Sequence, residues 1–160
     1  MGFVGLYFKN CLGKKLMAKK VIGYTTGVFD MFHIGHLHLL KKAKNRCDHL
    51  IVGVSTDELV LSYKDKLPII PFKDRLEIIS ALKVVDEVVA VSDRDKKQAY
   101  LDVGYDILFV GDDWKGSEIF NELELFLKSF GAKVNYFKYT KEVSSTKFRD
   151  ILTTISDNES

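Results

Sequence analysis

The stretch that decides the fold is residues 27–36, Gly-Val-Phe-Asp-Met-Phe-His-Ile-Gly-His. An apolar run at residues 21–24 precedes it, and a helix-forming run at residues 36–44 follows it. The stretch therefore lies where a predicted β-strand is followed by a predicted α-helix. The free N–H groups and the dipole at the start of such a helix favour a bound phosphate.

Two histidines and two glycines give this junction its chemistry. Gly27 and Gly35 lack the Cβ atoms that would keep a triphosphate away from the backbone, and His33 and His36 suggest reaction at a phosphate. One alternative is a pair of structural histidines at a helix start. A zinc site that adds His38 is another, although alternate residues diverge on a helix and no cysteine is nearby.

Strand and helix patterns alternate along the rest of the chain. Mostly continuous apolar runs predict strands at Lys20–Thr25, His49–Ser55, Asp86–Val91, Ile107–Val110 and Lys133–Phe137. Helical patterns are present at His36–Asn45, Lys73–Leu82, Lys96–Val103, Ser117–Phe130 and Ser144–Leu152. We therefore predict an α/β fold, a single Rossmann-like doubly wound parallel sheet of about five strands with helices on both faces. Ligands of such sheets bind beyond the carboxyl ends of the strands.

The length of 160 residues and the apolar content of 46% fit one globular domain. The first twenty residues contain five lysines and no acid, which leaves a net charge of −3 for residues 21–160. A nearly neutral body gives no footprint for nucleic acid. We expect residues 1–16 to be an extension outside the fold, residues 17–155 to form the domain and residues 156–160 to be a tail. A weak membrane-touching or partner-binding role for the extension is the alternative.

The cysteines and the apolar runs bear on the compartment. Cys11 and Cys47 are far apart and belong to no metal-binding or CxxC pattern, as is usual in a reduced, cytoplasmic protein. No apolar run approaches the roughly 18 residues of a membrane span, so we expect no stable membrane insertion.

The motifs together resemble the HxGH nucleotidyltransferases and, within that superfamily, the cytidylyltransferases. The resemblance runs from about Lys20 to Leu152 and includes the 27–36 stretch, Val54–Glu58, Val85–Val88, Gly111–Trp114 and Val143–Lys147. It implies transfer of CMP from CTP to a small phosphorylated alcohol, with glycerol 3-phosphate as the expected acceptor. It also implies a divalent cation such as Mg²⁺, held mainly by the nucleotide phosphates, and a homodimer.

The resemblance also implies the site residues. His33, His36 and Lys64 would be catalytic, and Lys64, Lys66 and Lys97 would bind the acceptor phosphate. The residues implied for the nucleotide are Gly27, Val28, Phe29, Asp30, Gly35, Lys83, Asp112, Asp113, Tyr139, Thr140, Ser144, Ser145 and Thr146.

Several of these assignments have plainer alternatives. Asp30 would orient a backbone turn or a histidine, or be a simple turn residue. Residues 62–66 fit a solvated loop, and Lys97 fits plain surface. Asp112 and Asp113 fit an N-cap pair, and residues 144–146 fit helix capping.

Three positions depart from the cytidylyltransferase pattern. Lys83 and Tyr139 stand where the family has arginine, and Arg94 stands where it has a tryptophan on the acceptor side. Lys83 keeps the charge of an arginine but not its bidentate fork. The ending Ser-Ser-Thr-x-x-Arg at Arg149 favours an alternative, an adenylyltransferase that uses ATP. A non-catalytic nucleotide-binding module would have lost a histidine of HxGH, and both are present.

The predicted reaction needs no general base. A phosphate monoester has a second pKa of about 6, so the acceptor is already ionised near neutral pH. Positioning and charge neutralisation at the phosphorus should supply most of the acceleration. Arg94 and Lys66 offer hydrogen bonds and no aromatic cage, so we expect a polyol phosphate to be preferred to phosphocholine.

Overall fold

The computed structural model describes residues 19–138, 150, 151 and 154. These residues contain one sheet of five parallel strands in the order β3-β2-β1-β4-β5. The strands are β1 (Ile22–Gly27), β2 (His49–Ser55), β3 (Glu87–Val91), β4 (Ile107–Gly111) and β5 (Lys133–Phe137). The helices are α1 (Ile34–Lys44), α2 (Asp57–Lys64), α3 (Phe72–Ser80), α4 (Lys96–Val103) and α5 (Glu118–Ser129), with a short 3₁₀ turn at Asp112–Trp114. The predicted fold class and the five predicted strands are confirmed.

The helices cover both faces of the sheet because alternate side chains of the central strands face opposite ways. On one face, Leu40 of α1 and Ile79 of α3 join a buried cluster that includes Val52 of β2. On the other face, Leu123 of α5 belongs to a second cluster, which includes Ile51 of β2. Six of the seven residues of β2 are buried, as expected for a strand covered on both sides.

Helix α2 is the element that the sequence patterns missed. Thr56 caps it by accepting a hydrogen bond from the Leu59 N–H at 3.2 Å, and Asp57 and Glu58 stand in its first turn, where the dipole favours acids. Lys64 lies in the last turn of α2. The solvated-loop alternative is therefore wrong for residues 62–64, which are helical. The Thr-Asp-Glu start was the available signal.

The parallel sheet has two chemically different edges. We call the edge at which the strands end the carboxyl edge; there the chain leaves β1, β2, β3 and β4 for the turns and helices that follow. At the amino edge the strands begin, and the connections from α1, α3, α4 and α5 arrive there. Ligands of this fold bind at the carboxyl edge.

Carboxylates at the amino edge hold the strand starts. Asp86 accepts hydrogen bonds from the Leu50 N–H and from the Lys44 ammonium, both at 2.6 Å. Asp106 accepts from the Ile22 N–H at 2.9 Å and pairs with Lys19 at 2.6 Å. The family motif that contains Asp86 is thus part of the framework in this chain.

The boundaries expected for the extension, the domain and the tail fall outside the described residues. Of the last predicted helix the structure describes Asp150 and Ile151, which are helical. Within the described part of the chain, no helix combines the length and apolar character needed to cross a membrane.

Candidate active site

The two histidines of the HxGH motif form the start of α1. His33 is the N-cap residue, and its Nδ1 accepts a hydrogen bond from the Gly35 N–H at 3.1 Å. The His36 Nδ1 accepts one from the His33 N–H at 3.4 Å, which completes a reciprocal capping box. The rings stack with their centroids 3.8 Å apart. The histidines therefore have a structural role, as one alternative expected, and the capping bonds use the Nδ1 atom of each ring.

The capping bonds also determine which ring nitrogen carries the proton. A neutral imidazole that accepts a hydrogen bond at Nδ1 has its proton on Nε2. Burial lowers the pKa of His33, and burial together with the neighbouring His33 lowers the pKa of His36 to about 4. Near pH 7 both rings are therefore neutral and carry an Nε2–H group, which is the type of donor that a phosphate oxygen accepts from.

The loop between β1 and α1 is backbone-strained and rests on the core. Phe29 and Met31 have φ angles of 53° and 46°, in the left-handed region that non-glycine residues rarely adopt. Phe29 is buried, and its ring meets the His36 ring edge-on at 5.4 Å. A Cβ at Gly27 would lie 3.2 Å from the Phe29 ring, so this glycine makes room for Phe29. The structure places the Phe29 ring in the buried core cluster.

Asp30 is a positioning residue. Its buried carboxylate accepts hydrogen bonds from the N–H groups of Ile69 at 3.0 Å and Ile70 at 2.9 Å. This confirms that Asp30 orients a backbone turn, the one that joins α2 to α3. Both carboxylate oxygens serve the backbone, so the structure does not support its assignment to the nucleotide.

Arg75 is the functional residue that sequence reasoning missed. Its side chain is fully buried and donates to the Val28 carbonyl at 2.5 Å, the Ile70 carbonyl at 2.9 Å and the Asp57 carboxylate at 2.7 Å. An arginine is almost never fully buried unless it is paired. Arg75 therefore holds the loop between β1 and α1 in place through its hydrogen bond to the Val28 carbonyl. The sequence pattern did not indicate that Arg75 is buried, because a charged residue on a helix is usually exposed.

The turn after β4 follows the motif Gly-Asp-Asp-Trp. A Cβ at Gly111 would lie 2.5 Å from the Asp113 carboxylate, so the glycine allows Asp113 to fold back over the strand end. Neither aspartate caps α5, because Ser117 does so by accepting from the Phe120 N–H. The N-cap alternative is therefore wrong for Asp112 and Asp113, and both lie at the carboxyl edge, as predicted.

A group of cations lies on the other side of the HxGH turn. The Arg94 guanidinium lies 4.5 Å above the Tyr63 ring centroid, and the Lys64 ammonium is 5.7 Å from the same point. Burial lowers the pKa of Lys96, and the nearby Arg94 lowers it further. We call Lys64, Arg94 and Lys96 the cation cluster. It joins the end of α2 to the β3–α4 connection and is suited to an anionic ligand.

Three lysines implied by the resemblance are not in this cluster. Lys97 is in the first turn of α4, near the carboxyl edge. Its ammonium, however, lies 3.7 Å from the Glu122 carboxylate and 5.9 Å from the Phe126 ring, both of which belong to α5. Lys83 is exposed in the connection from α3 to β3, at the amino edge. The structure therefore does not bring Lys83 to the HxGH turn. Lys66 is exposed in the connection after α2.

Five of the residues implied for the nucleotide lie outside the described residues: Tyr139, Thr140, Ser144, Ser145 and Thr146. Among the residues that are described, no group of three or more His, Cys, Asp or Glu side chains is arranged to hold a metal ion, and this includes the three histidines considered for zinc. Gly35 contributes its N–H to the His33 cap.

The order of the strands gives the site two sides. The HxGH turn follows the central strand β1, the cation cluster follows β2 and β3, and the Gly111–Trp114 turn follows β4. Motifs up to about 80 residues apart in sequence thus share one edge. A neutral pair of imidazole donors lies between a cationic side and an acidic turn.

The family model described as "Cytidylyltransferase-like" matches residues 24–151, which include all of these elements. The chain belongs to the cytidylyltransferase-like family, and it is a nucleotidyltransferase. It is 38% identical over 133 residues to a glycerol-3-phosphate cytidylyltransferase of Bacillus subtilis, a match that covers 82% of this chain and 95% of that protein.

Other relatives are named for different activities. An FAD synthase of Thermoplasma volcanium is 36% identical over 116 residues, which cover 72% of this chain and 80% of that enzyme. Among solved structures, the lipopolysaccharide core biosynthesis protein from Thermoplasma volcanium is 34% identical, with a TM-score of 0.63 over 78% of this chain and 99% of that one. A pantoate-beta-alanine ligase from Francisella tularensis, at 15% identity and a TM-score of 0.59, shows the fold alone.

Proposed function

We propose that this protein transfers CMP from CTP to glycerol 3-phosphate or a close polyol phosphate. The observation that carries the proposal is the pair of neutral, stacked imidazoles at the start of α1, next to the cation cluster. The 38% identity to a protein named glycerol-3-phosphate cytidylyltransferase supports it.

The proposed step is an in-line substitution at phosphorus. An oxygen of the acceptor phosphate forms a bond to the α-phosphorus of CTP, and the bond from that phosphorus to the bridging oxygen of the β-phosphate breaks. The products are a CDP-alcohol and pyrophosphate, and the acceptor loses no proton because it is already ionised. The His33 and His36 Nε2–H groups would donate to the phosphate oxygens on which charge develops.

The acceptor phosphate belongs at the cation cluster. Lys96 replaces Lys97 in this assignment, because the Lys97 ammonium is engaged with Glu122, while Lys96 is partly buried and lies near Arg94. A phosphate dianion would offset the charge that burial makes unfavourable on Lys96. Lys64 is the second cation of the proposed subsite.

The shape of the cluster favours a polyol over a cationic headgroup. An aromatic side chain is present there, contrary to the expectation from sequence, since both Arg94 and Lys64 approach the Tyr63 ring. One face of its ring is already in contact with a guanidinium, and a choline group there would meet like charge. Glycerol hydroxyls would instead accept hydrogen bonds from these cations.

Mg²⁺ is part of the proposal as an ion that arrives with the nucleotide. Carboxylates next to substrate phosphates are the usual ligands of Mg²⁺, and Asp112 and Asp113 at the carboxyl edge are the described candidates. Bound there, it would neutralise triphosphate charge. A homodimer is proposed from the family resemblance, and a cytoplasmic location from the cysteine usage.

An ATP-dependent adenylyltransferase is the second candidate. The 36% identity to an FAD synthase favours it, and so does the Ser-Ser-Thr-x-x-Arg ending. The two candidates share the HxGH chemistry and differ in the nucleotide and the acceptor.

A pyrophosphate-release screen would separate these candidates. CTP, ATP, GTP and UTP are each tested with glycerol 3-phosphate, phosphocholine, phosphoethanolamine and FMN. We expect the highest kcat/KM for CTP with glycerol 3-phosphate. A preference for ATP with FMN would establish the second candidate, and a preference for phosphocholine would overturn the acceptor assignment.

The matched pair Lys96→Ala and Lys97→Ala tests the acceptor subsite. Lys96→Ala should raise the KM of the acceptor at least tenfold and leave the KM of CTP nearly unchanged, as roughly expected for a lost charge-assisted bond. Lys97→Ala removes the neighbouring lysine and should change both values less than about threefold. The reverse result would return the subsite to Lys97.

A further inference from the structure

Tyr105 connects the core of the protein to the first residue of α4. It is 1% exposed and precedes β4 at the amino edge. Its ring stacks on Tyr24 of β1 with the centroids 5.1 Å apart and meets Tyr100 of α4 edge-on at 5.3 Å. From this position its hydroxyl donates to the Lys96 carbonyl at 3.2 Å. The ring thus lies in the layer between the sheet and α4.

Helix α4 is held in its first turn by this hydrogen bond, by the contacts of Lys97 with Glu122 and Phe126, and by the packing of Ala99 against the core. It has eight residues, none of them fully buried, and so short a helix is marginal by itself. Asp95 caps it by accepting from the Lys97 and Gln98 N–H groups, but Asp95 is itself exposed. Tyr105 is the buried group that fixes the first turn of α4 to the rest of the domain.

The hydroxyl is a suitable anchor. Burial raises the pKa of Tyr105, so the hydroxyl stays protonated and remains a donor at any working pH. The residue that it holds is the one whose side chain lies in the cation cluster. A small rotation of this turn would move the Lys96 ammonium relative to Arg94, whereas the Lys97 side chain has its own contacts with Glu122 and Phe126.

We propose that Tyr105 is a positioning residue for acceptor binding: through the Lys96 carbonyl it holds the Lys96 ammonium in the cation cluster. This rests on the proposed function, in which that cluster takes the acceptor's phosphate. Tyr105 touches neither substrate. Tyr105 follows the C-terminal end of α4 in sequence, and its hydroxyl reaches the first residue of that helix. It would set the affinity for the acceptor without contributing to the chemical step.

The test is Tyr105→Phe, which removes one oxygen and keeps the aromatic stack. We expect the KM of glycerol 3-phosphate to rise about threefold to tenfold, the range of a lost neutral hydrogen bond. The KM of CTP and kcat at saturating acceptor should stay within a factor of two or so. Tyr136→Phe is the matched control, since it removes a hydroxyl that bonds Glu124 on the α5–β5 flank, and it should leave both KM values unchanged.

A double-mutant cycle separates positioning from general loosening. In a Lys96→Ala background Tyr105→Phe should cause no further rise in the KM of the acceptor, because the group being positioned is gone. An equal rise in that background would overturn the proposal, as would an unchanged KM in the single variant or equal losses in kcat and the KM of CTP.

An NMR titration of the Lys96 side chain gives a readout that needs no substrate. The pKa of Lys96 lies below 10.5 in the native protein because partial burial and the nearby Arg94 lower it more than Asp95 and Asp93 raise it. In Tyr105→Phe it should move back towards 10.5, and in Tyr136→Phe it should not. If no nucleotide and acceptor pair is turned over, the proposed function fails, and this titration still decides whether Tyr105 positions Lys96. An unchanged pKa in Tyr105→Phe would then overturn the proposal.

Discussion

The two edges of the sheet use charged residues in opposite ways. At the amino edge, Lys44 and Lys19 each pair with a carboxylate at 2.6 Å, and the same carboxylates accept N–H groups from the strand starts. At the carboxyl edge, burial and the nearby Arg94 lower the pKa of Lys96, and the neighbouring Asp95 and Asp93 offset this only in part. Charges that satisfy one another stabilise the fold, whereas like charges gathered at a ligand-binding edge indicate a site for an anion.

The carboxylates and histidines of the two edges show the same contrast. At the amino edge, burial alone would raise the pKa of Asp86, but the Leu50 N–H and the Lys44 ammonium hold it below its usual 3.8. At the carboxyl edge, burial lowers the pKa of His36 to about 4 and leaves the ring neutral. The framework therefore keeps its groups charged and paired, and the site keeps its imidazoles neutral.

The largest effect is expected from His33→Asn, which separates the two roles of this residue. The Asn carbonyl oxygen can accept the Gly35 N–H and keep the cap, but it places no donor where Nε2–H stands. We expect kcat/KM to fall at least about 100-fold with little change in melting temperature, as for the loss of one charge-stabilising donor.

His33→Ala is the companion variant, and it loses the cap as well. It should show the same loss of activity and be about 1 kcal/mol less stable than His33→Asn by urea denaturation. A rate for His33→Asn near that of the wild type would mean that the HxGH histidines only cap α1.

At the amino edge, Asp86→Ala should damage stability and leave the chemistry intact. It strips the Leu50 N–H and the Lys44 ammonium of their shared acceptor, which should cost about 1–3 kcal/mol of unfolding free energy. Turnover per folded molecule, measured well below the melting temperature, should stay within about twofold of wild type, because the change is at the far edge from the site. A hundredfold loss of turnover in a folded variant would contradict the purely structural role given to the amino edge.

The pH dependence of stability gives a third comparison. The His36 ring takes up a proton near pH 6.5 in the unfolded chain and only at about pH 4 in the folded protein. Between these values the unfolded state binds more protons, so stability is complete above pH 6.5 and decreases as the pH falls towards 4. We expect a loss of about 1–2 kcal/mol between pH 7 and pH 5 in urea denaturation.

A His36→Gln variant should show a flatter profile over the same range. The paired carboxylates of the amino edge do not interfere, because the pKa values of Asp86 and Asp106 both lie below 3.8. A stability that stays constant from pH 7 to pH 5 in the wild type would show that His36 is not buried as described.

The smallest effect is expected from Lys83→Ala. Lys83 is exposed at the amino edge, so its loss should change the KM of CTP by less than about twofold. Lys83 stands where the family has an arginine, and a rise of tenfold or more would show that this part of the amino edge reaches a nucleotide after all. Steady-state kinetics at saturating acceptor would decide it.

The sequence by itself determined the order of strands and helices, apart from α2, and the position of the HxGH motif between the first strand and the first helix. Continuous apolar runs such as Ile107–Val110 are typical of strands buried on both faces, and the glycines and histidines of residues 27–36 mark the junction between the first strand and a helix. Motifs that follow successive parallel strands must share the carboxyl edge. These inferences depend on local patterns, which a single chain displays.

Only the tertiary structure decided which charged side chains belong to the site. Lys96 and Lys97 are neighbours in sequence, but successive residues on a helix point about 100° apart, so one enters the cation cluster and the other pairs with Glu122. Arg75 lies on a helix like many surface arginines, and only the folded chain brings Asp57 and the Val28 carbonyl to it. Electrostatic partners are set by contacts between residues far apart in sequence, and no local pattern records them.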